Sequence, residues 1–548
     1  MTTLEVRNPV AALSADIVPR APRVGDLSGA QVGMFWNKKV GGNVALEWLA
    51  ESIGSEYGTT TTPYYSGFPS PRANIEAAAA GSTVVIGSTG DCGSCTSWLI
   101  HDLVEIEKLG VPTVALVAEA FETDAHESAR VFGMPDLAIA VMPRTLTNLS
   151  PDEVTEIAQG IRPRVVAALL AEAAAGADAD SVELPSPEPA VFNYSGDDEW
   201  HAAENFQTDF LNRDFGDGFP LIPPTGERVA AMLGGTCRAP QDAIAILEPA
   251  LGVATVEKIA INAVMAGCKP EHLPILLAAV EAMAQPEFAL RFVAMSTGPH
   301  TPLILVNGPI AERIGMNSGR GALGPGKRSV VNTVIGRALR LVMMNVGYAY
   351  VGKFDLDTIG TPRKYSMCLA ENEAANPWEP LHVERGMRAE ESAVTMFSVE
   401  SEIECADMAN YTAEGILRTY AGAASTPGAA AVQYTYQEAT IAPYENLILL
   451  APEHAQVIHD AGWTKDDIRE FVFRDSFRQA KYVLNCAKPD SFRDSRRWAL
   501  EVGEDELIQS MESPACVNVA VVGGATGKGQ FLPGIGASIT RSVDAYLP

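Results

Sequence analysis

The chain has no apolar run long enough to cross a bilayer. Its apolar stretches, such as LPILLAAV at 273–280, fall well short of the roughly 18 residues that a transmembrane helix needs. Its first residues also lack the basic-then-apolar order of a secretory signal. We therefore expect a cytoplasmic protein with no membrane partner.

Basic residues are scarce relative to acidic ones. The chain has 40 Lys and Arg residues against 68 Asp and Glu residues, which gives a formal net charge of -28 at pH 7. Such a charge repels a phosphate backbone. We therefore expect no nucleic-acid partner.

Cysteine is also sparse, with 8 residues in a chain of 548. Spread through a chain without a secretory signal, these residues do not indicate a disulfide framework. Hydrophobic residues make up 47% and charged residues 20%, which is typical of a folded globular protein. The length predicts two or three domains.

Short apolar runs alternate with segments of helical period between residues 25 and 175. The runs include AQVGMFW, STVVIGS and PTVALVAEAF, and each is followed by a segment such as SWLIHDLVEIEKLG. Apolar runs without polar alternation predict parallel strands that helices cover on both faces. We predict an α/β domain with a doubly wound, Rossmann- or flavodoxin-like parallel sheet.

The composition changes after this domain. Residues 176–198 are rich in Ala, Asp and Pro, which predicts a linker. Residues 199–548 mix helical segments such as VEKIAINAVMAG with strand-like runs such as PLILVNG. We predict a larger mixed α/β region there, with room for two subdomains.

The segment TGDCGSCTSW, residues 89–98, directly follows the run STVVIGS. Ligands of doubly wound sheets bind at such strand-to-helix turns, and Ser94, Thr96 or Ser97 could cap the helix. Free N–H groups and the helix dipole would then favour thiolates at Cys92 and Cys95. The spacing also lets Cys95 resolve a mixed intermediate formed on Cys92.

Half of a zinc site and a pair of inert core cysteines are the alternatives to active thiols. No second Cys-x-x-Cys and no His-x-x-x-His completes a zinc site, so we predict no metal and no other cofactor. Core cysteines would lie within an apolar run, whereas Thr, Gly, Asp and Ser surround these two. The polar surroundings favour active thiols.

The segment GDCGSCTSWLIHDLVEIEKLGVPTVAL resembles the UGSC-motif proteins, some of which carry selenocysteine at the position of Cys92. The resemblance covers most of residues 25–150. Three later segments resemble long members of the group: DGFPLIPPT at 217–225, VMAGCKPEHLPI at 264–275 and NPWEPLHVERG at 376–386. A looser resemblance links the turn to the substrate-activating selenoprotein component of glycine reductase. The UGSC resemblance implies a nucleophile at Cys92 and leaves the substrate open.

Two further catalytic candidates lie near the cysteines. Asp91 would raise the pKa of an adjacent thiol, so we expect its side chain to cap the turn without contacting a sulfur. His101 lies nine residues after Cys92, where a surface or core histidine is the alternative to a catalytic base.

Substrate-binding candidates come from loops in both parts of the chain. The glycine-rich segment GRGALGPGKRS is basic in an otherwise acidic chain, which suits a carboxylate or phosphate at a helix N-terminus; a connection with solvated charges is the alternative. The candidates are Lys38 or its neighbour Lys39, Thr89, Thr96, His300, Arg320, Lys327, Arg328, Trp378 and His382.

Our leading hypothesis is a thiol-dependent oxidoreductase or lyase in which the Cys92 thiolate attacks a small, carboxylate-bearing molecule and Cys95 resolves the adduct. The reaction would be a reductive or thiol-mediated cleavage or transfer at a carbon–heteroatom or S–S bond, with a thiol donor as partner. A covalent cysteine lyase or hydrolase without net redox change is one alternative. A redox sensor or small-molecule binding protein is another. Proteins with such parallel sheets often form homodimers, which we expect here.

Overall fold

The computed structural model describes residues 1–14, 16–67, 69–170, 185–426, 444–484 and 494–548. After a first strand, an N-terminal domain alternates strands with helices. These elements are β1 (Thr2–Arg7), β2 (Gln31–Trp36), α1 (Gly42–Tyr57), β3 (Thr60–Tyr65), α2 (Arg72–Gly81), β4 (Val84–Gly90), α3 (Gly93–Lys108), β5 (Thr113–Ala118), α4 (Glu122–Val131), β6 (Ile139–Met142) and α5 (Pro151–Leu170).

The sheet of this domain has five parallel strands in the order β3-β2-β4-β5-β6. Numbered within the domain, this order is 2-1-3-4-5, the flavodoxin-like arrangement. The prediction of a doubly wound parallel-sheet domain is confirmed. The order in which strands are added reverses between β2 and β4, so the loops after these two strands lie next to each other at the carboxyl edge of the sheet.

Two hydrophobic clusters cover the two faces of this sheet. Leu46 of α1 and Ile157 of α5 belong to one cluster, and Leu103 of α3 and Ala129 of α4 belong to the other. All residues of β4 and β5 are buried, as expected for strands sandwiched between helices. Because both faces of β4 and β5 are buried, their sequences are continuous apolar runs.

The sequence pattern did not predict β3 and α2. β3 has the sequence TTTPYY and lies at the edge of the sheet, where its residues are exposed or half-buried. An edge strand tolerates Pro63 because one side of its backbone makes no ladder hydrogen bonds. Its sequence therefore lacks the apolar run that marks a central strand.

The second region contains the remaining elements. Its strands are β7 (Val191–Gly196), β8 (Ala243–Leu247), β9 (Gly252–Thr255), β10 (Thr301–Asn307), β11 (Cys368–Ala370), β12 (Ala393–Val399), β13 (Ile403–Ala406), β14 (Asn446–Leu450), β15 (Phe477–Gln479), β16 (Leu507–Gln509), β17 (Val517–Val521), β18 (Lys528–Leu532) and β19 (Ile539–Ser542). Its helices are α6 (Glu199–Asn212), α7 (Gly226–Leu233), α8 (Val256–Ala266), α9 (Leu273–Met283), α10 (Leu290–Met295), α11 (Pro309–Arg313), α12 (Val330–Asn345), α13 (Leu381–Glu384), α14 (Ala413–Ala424), α15 (Pro452–Asp460), α16 (Lys465–Asp475) and α17 (Lys481–Leu484).

Two four-stranded sheets organise this region, in the orders β11-β10-β12-β19 and β13-β18-β14-β17. Each combines parallel and antiparallel neighbours, which confirms the prediction of a mixed α/β region. Of the predicted linker, residues 176–184 lie outside the described residues. Residues 191–196 form β7, which pairs antiparallel with β1.

The chain therefore starts in the second region before it enters the N-terminal domain. Val6 and Val10, which lie in and just after β1, pack in the same core as Phe206 and Phe210 of α6. The N-terminal domain is consequently connected to the second region at both of its ends.

Among the described residues, no single helix has the length and apolar character of a membrane span. One bent pair, Pro270–Met283 with Pro286–Met295, passes this test by length and composition.

Arg291 of α10 connects the two parts of the molecule. Its side chain is 2% exposed and pairs with Glu248 at 3.1 Å, while Nη1 donates to Ser97 Oγ in the first turn of α3 at 3.0 Å. The guanidinium also lies over the rings of Trp98 and Phe132, 5.2 and 4.6 Å from their centroids. This buried cation holds α3 against the second region.

We expect Arg291→Ala to lower the free energy of unfolding by about 2 kcal/mol. This is below the usual loss when one partner of a buried ion pair is removed, because the Glu248 side chain is 32% exposed and can be solvated. Urea unfolding followed by tryptophan fluorescence measures the change. Arg313→Ala, at an exposed arginine of α11, is the control, and equal unfolding midpoints for the two variants would contradict this role of Arg291.

Candidate dithiol site

The cysteine turn lies between the end of β4 and the start of α3. Cys92 has an extended backbone and is the N-cap of α3, and its Sγ accepts a hydrogen bond from the Cys95 N–H at 3.4 Å. The N–H and the Oγ1 of Thr96 both donate to the Cys92 carbonyl, at 2.9 and 2.7 Å. The helix is thus capped by Cys92, and not by Ser94, Thr96 or Ser97 as the sequence suggested.

Cys92 and Cys95 form a disulfide in this structure, with their Cα atoms 5.3 Å apart. Cys95 is 3% exposed, and Cys92 is half-buried. Both sulfurs lie at the positive end of the dipole of α3, which favours a negative charge on sulfur after reduction. The pair can therefore alternate between a disulfide and a dithiol without rearrangement of the fold.

The Asp91 carboxyl lies near both sulfurs, and no hydrogen bond joins it to either of them among the described contacts. One of its carboxylate oxygens and the two Sγ atoms all lie within 4.8 Å of one another. Oδ2 accepts a hydrogen bond from the Thr147 hydroxyl at 3.2 Å, and Oδ1 lies 3.9 Å from Lys39 Nζ. The carboxyl thus faces the thiols, and its partners come from the loops after β2 and β6.

Burial raises the pKa of Asp91 above its ordinary value of 3.8, and the Lys39 ammonium and the Thr147 hydroxyl offset part of this effect. A carboxyl whose pKa is raised in this way holds a proton more readily than an ordinary carboxyl and can exchange it with a neighbouring thiol. No local sequence pattern indicates the Thr147 contact, because Thr147 is 56 residues from Asp91 along the chain.

Asp91, Cys92 and Cys95 also offer three ligand atoms to a metal ion. Only the reduced pair could bind a metal, because the ligand form of cysteine is the thiolate. Lys39 Nζ lies 3.9 Å from the same carboxylate, and its positive charge repels a metal cation at this position. These side chains fit a proton-exchanging dithiol better than a metal centre.

The loop after β2 is tied to the end of β4. Asn37 Oδ1 accepts from the Thr89 N–H at 3.1 Å, and Asn37 Nδ2 donates to the Thr89 carbonyl at 3.0 Å. A side chain at Gly42 would overlap Thr89 Oγ1, so α1 can approach this edge only with a glycine there. The structure brings Thr89 and the Lys38–Lys39 loop to the site, and Asn37 is a positioning residue that the sequence analysis missed.

The structure places His101 away from the cysteines. It is two turns further along α3, about 13 Å from Cys92 at the helical rise per residue. Its Nδ1 lies 2.9 Å from Asp102 Oδ1, and its ring contacts Trp98 and Phe132 edge-on. His101 lines a cleft between α3 and the second region, which Glu248 and Arg291 also line, and it is not positioned as a base for Cys92.

The end of α10 and the segment that carries Leu356 lie against the cysteine turn. A side chain on Gly93 would overlap the Met295 carbonyl oxygen and would contact Leu356 at 3.0 Å. Gly93 is therefore the residue through which the second region covers the turn. His300 itself is 6% exposed and lies five residues after Met295.

The glycine-rich basic loop contacts other parts of the second region. Arg320 donates to the Ala525 carbonyl at 2.8 Å, and Lys327 and Arg328 are exposed. The neighbouring loop GGATGKG resembles a phosphate loop by composition only, because its Gly527 N–H donates to Glu453 at 2.6 Å.

Trp378 and His382 also lie among residues of the second region. Trp378 Nε1 donates to the Trp463 carbonyl at 2.9 Å. His382 is 0% exposed in α13. Their described contacts do not include the cysteine turn.

These features define a class of protein: a flavodoxin-like α/β domain with a Cys-x-x-Cys pair that caps a helix at the carboxyl edge of its sheet. Residues 5–171 match the family model described as UGSC family, so the N-terminal part of the chain is similar to the UGSC family. Searches among curated proteins and among solved structures gave no match. The resemblance to the glycine reductase component is not shown by these comparisons and stays a prediction.

Replacing Asp91 by asparagine should change how stability depends on pH. Because burial raises the folded-state pKa of Asp91, the protonated carboxyl contributes stability that is fully present below the unfolded-state pKa. That stability is lost as the pH rises through the folded-state pKa. The Asn variant keeps a neutral side chain, so its stability relative to the natural protein should increase from pH 4 toward neutral pH.

Urea unfolding of both proteins with the cysteines reduced, at a series of pH values, measures this difference. Asp152→Asn, at an exposed aspartate of α5, is the control. A difference between the Asp91 variant and the natural protein that does not vary with pH would show that burial does not perturb Asp91.

Proposed function

We propose that this protein is a thiol-dependent oxidoreductase that reductively cleaves a small organic molecule at an S–S or carbon–heteroatom bond. The single observation that carries the proposal is the bonding contact between Cys92 and Cys95 at the start of α3. A nucleophile that acts without redox change needs no second sulfur within bonding distance. A dithiol that delivers two electrons needs this second sulfur, because its oxidised form is the disulfide.

Cys92 is the attacking residue in this proposal. Its sulfur is the one that accepts the hydrogen bond from the first turn of α3, and it is the more exposed of the two. A hydrogen bond to sulfur and the helix dipole both stabilise the thiolate. Cys95 is buried one turn further along, which suits a resolving thiol.

The reaction with a disulfide substrate has two steps. The Cys92 thiolate attacks one sulfur of the substrate, an S–S bond forms to Cys92, and the other half of the substrate leaves as a thiolate that takes a proton. The Cys95 thiolate then attacks Cys92 Sγ and expels the second half as a thiolate. The substrate gains two electrons, the enzyme becomes the Cys92–Cys95 disulfide, and an external thiol donor reduces it.

Asp91 exchanges the protons in this scheme. The carboxyl lies within 4.8 Å of both sulfurs, and burial raises its pKa toward the range of activated thiols. It can accept the Cys95 proton before the second step and give a proton to a departing thiolate. Lys39 moderates the pKa of Asp91 and holds the carboxyl at the site.

A substrate with a carbon–heteroatom bond would also accept two electrons from the dithiol in two steps. Cys92 would displace the heteroatom group from carbon, and a thioether to Cys92 would form. Attack of Cys95 on Cys92 Sγ would return an electron pair to carbon, which takes a proton. This route requires a carbon that can carry negative charge, such as one next to a carbonyl group.

Single-cysteine variants test this proposal. Reduction of hydroxyethyl disulfide by glutathione, measured by the formation of glutathione disulfide and corrected for the uncatalysed rate, should depend on the enzyme and should fall to the uncatalysed rate in Cys92→Ser. Cys95→Ser should retain the first step and accumulate the mixed disulfide on Cys92, which intact-mass spectrometry detects. Cys237→Ser, at an exposed free cysteine, is the matched control.

The two alternatives give different results in the same assay. A lyase or hydrolase would turn over substrate without a reductant and would tolerate Cys95→Ser. A sensor would form the Cys92–Cys95 disulfide without turnover. Equal stoichiometric alkylation of both cysteines, with no trapped adduct on Cys92, would contradict the redox proposal.

A further inference from the structure

A small polar cavity lies in the second region, directly behind the residues that cover the cysteine turn. Its lining includes Ala294 and Asp355. Each of these is followed by a residue that faces Gly93, namely Met295 and Leu356. The cavity has a volume of about 20 Å³, enough for one water-sized group.

Two of the three cations around this cavity are neutralised by carboxylates. Arg340 pairs with Asp355 at 2.9 Å. Lys364 pairs with Asp355 at 2.7 Å and with Asp357 at 3.0 Å. Two positive and two negative charges therefore balance on this side of the cavity.

Arg363 is the third cation, and no carboxylate pairs with it among the described ion pairs. Its Nη2 donates instead to the backbone carbonyls of Pro299 and Glu400, at 3.4 and 2.6 Å. The Glu400 carboxyl interacts electrostatically with Arg363, but no ion pair joins the two side chains within the described residues. The Arg363 guanidinium is thus held by carbonyl oxygens and not by a carboxylate.

Two buried nitrogen atoms at the cavity lack hydrogen-bond partners within the described part of the chain. They are Arg363 Nε and His300 Nδ1, and His300 is only 6% exposed. Burial lowers the pKa of His300 to about 4, so its ring is neutral at pH 7 and one ring nitrogen can donate. An unsatisfied buried donor costs about 1–3 kcal/mol, which a bound acceptor would offset.

A larger cleft of about 640 Å³ adjoins this cavity and shares Arg340, Asp355 and Lys364 with it. Its other walls include the apolar side chains of Met344 and Tyr365. Clefts of this size hold small organic ligands. The cleft can hold the body of a molecule whose anionic end enters the small cavity.

We propose that this cavity binds one carboxylate oxygen of a small organic acid, with Arg363 and His300 as donors to it and the adjoining cleft holding the rest of the molecule. Neither Cys92 nor Cys95 lines the cavity or the cleft, so this binding site is separate from the dithiol and goes beyond the function proposed above.

Formate is the probe for the cavity, because it is the smallest carboxylate. Isothermal titration calorimetry with sodium formate should be done on the Cys92→Ser, Cys95→Ser double variant, with ionic strength kept constant by the bulkier methanesulfonate. Arg363→Gln should weaken formate binding by about 10- to 100-fold, the range for a hydrogen bond to a charged group. His300→Phe should weaken it in the same direction, and Arg418→Gln, at an exposed arginine of α14, should leave it unchanged.

Equal binding to the Arg363 variant, or no binding of formate to the parent, would overturn the proposal. A bromide titration distinguishes a carboxylate site from a halide site, and tighter binding of bromide than of formate would also overturn it. Circular dichroism and the melting temperature of each variant show whether it is folded.

Discussion

The cap of α3 by Cys92 is the interaction on which the site depends. The Cys95 N–H donates to Cys92 Sγ at 3.4 Å. The sulfur thereby satisfies an N–H group in the first turn of the helix, and the same hydrogen bond would stabilise a thiolate on Cys92. The same turn sets the two Cα atoms 5.3 Å apart, within reach of a disulfide. Capping, thiolate stabilisation and disulfide formation therefore share one geometry.

Burial of the turn has two linked consequences. Ser94 and Cys95 are 2% and 3% exposed, so a folded protein cannot bring a disulfide of its own to Cys95, whereas a small molecule needs access to Cys92 alone. The same exclusion of water raises the pKa of Asp91 and strengthens its interaction with the sulfurs. Gly93 permits this burial, because any side chain there would overlap the Met295 carbonyl oxygen.

The sequence was sufficient for the features that depend on local pattern. The buried runs of β4 and β5 predicted central parallel strands, and the turn after β4 predicted the position of Cys92 and Cys95 at the carboxyl edge of the sheet. The edge strand β3 was missed because its TTTPYY sequence carries no apolar run. Local sequence has no such signal for contacts between distant segments.

The residues that surround the cysteines depend on those distant contacts. Thr147 reaches Asp91 from the loop after β6, and Arg291 reaches Ser97 across 194 residues of chain. Asp91 itself was identified from the sequence, but the Thr147 and Lys39 side chains that surround its carboxyl depend on tertiary packing. His101 shares a helix with Cys95, yet helical rise alone removes it from the site.

The way the chain is connected makes the cover over the cysteines part of the fold. The chain leaves the second region after β1 and returns to it at β7. Because these two strands pair, the two ends of the N-terminal domain are held together. A domain connected at both ends has less freedom to swing away than one on a single linker. Buried Arg291 adds a direct contact between the two parts. The wall formed by Met295 and Leu356 is therefore a fixed part of the surroundings of the cysteine turn, so the second region limits access to the two sulfurs together with the N-terminal domain.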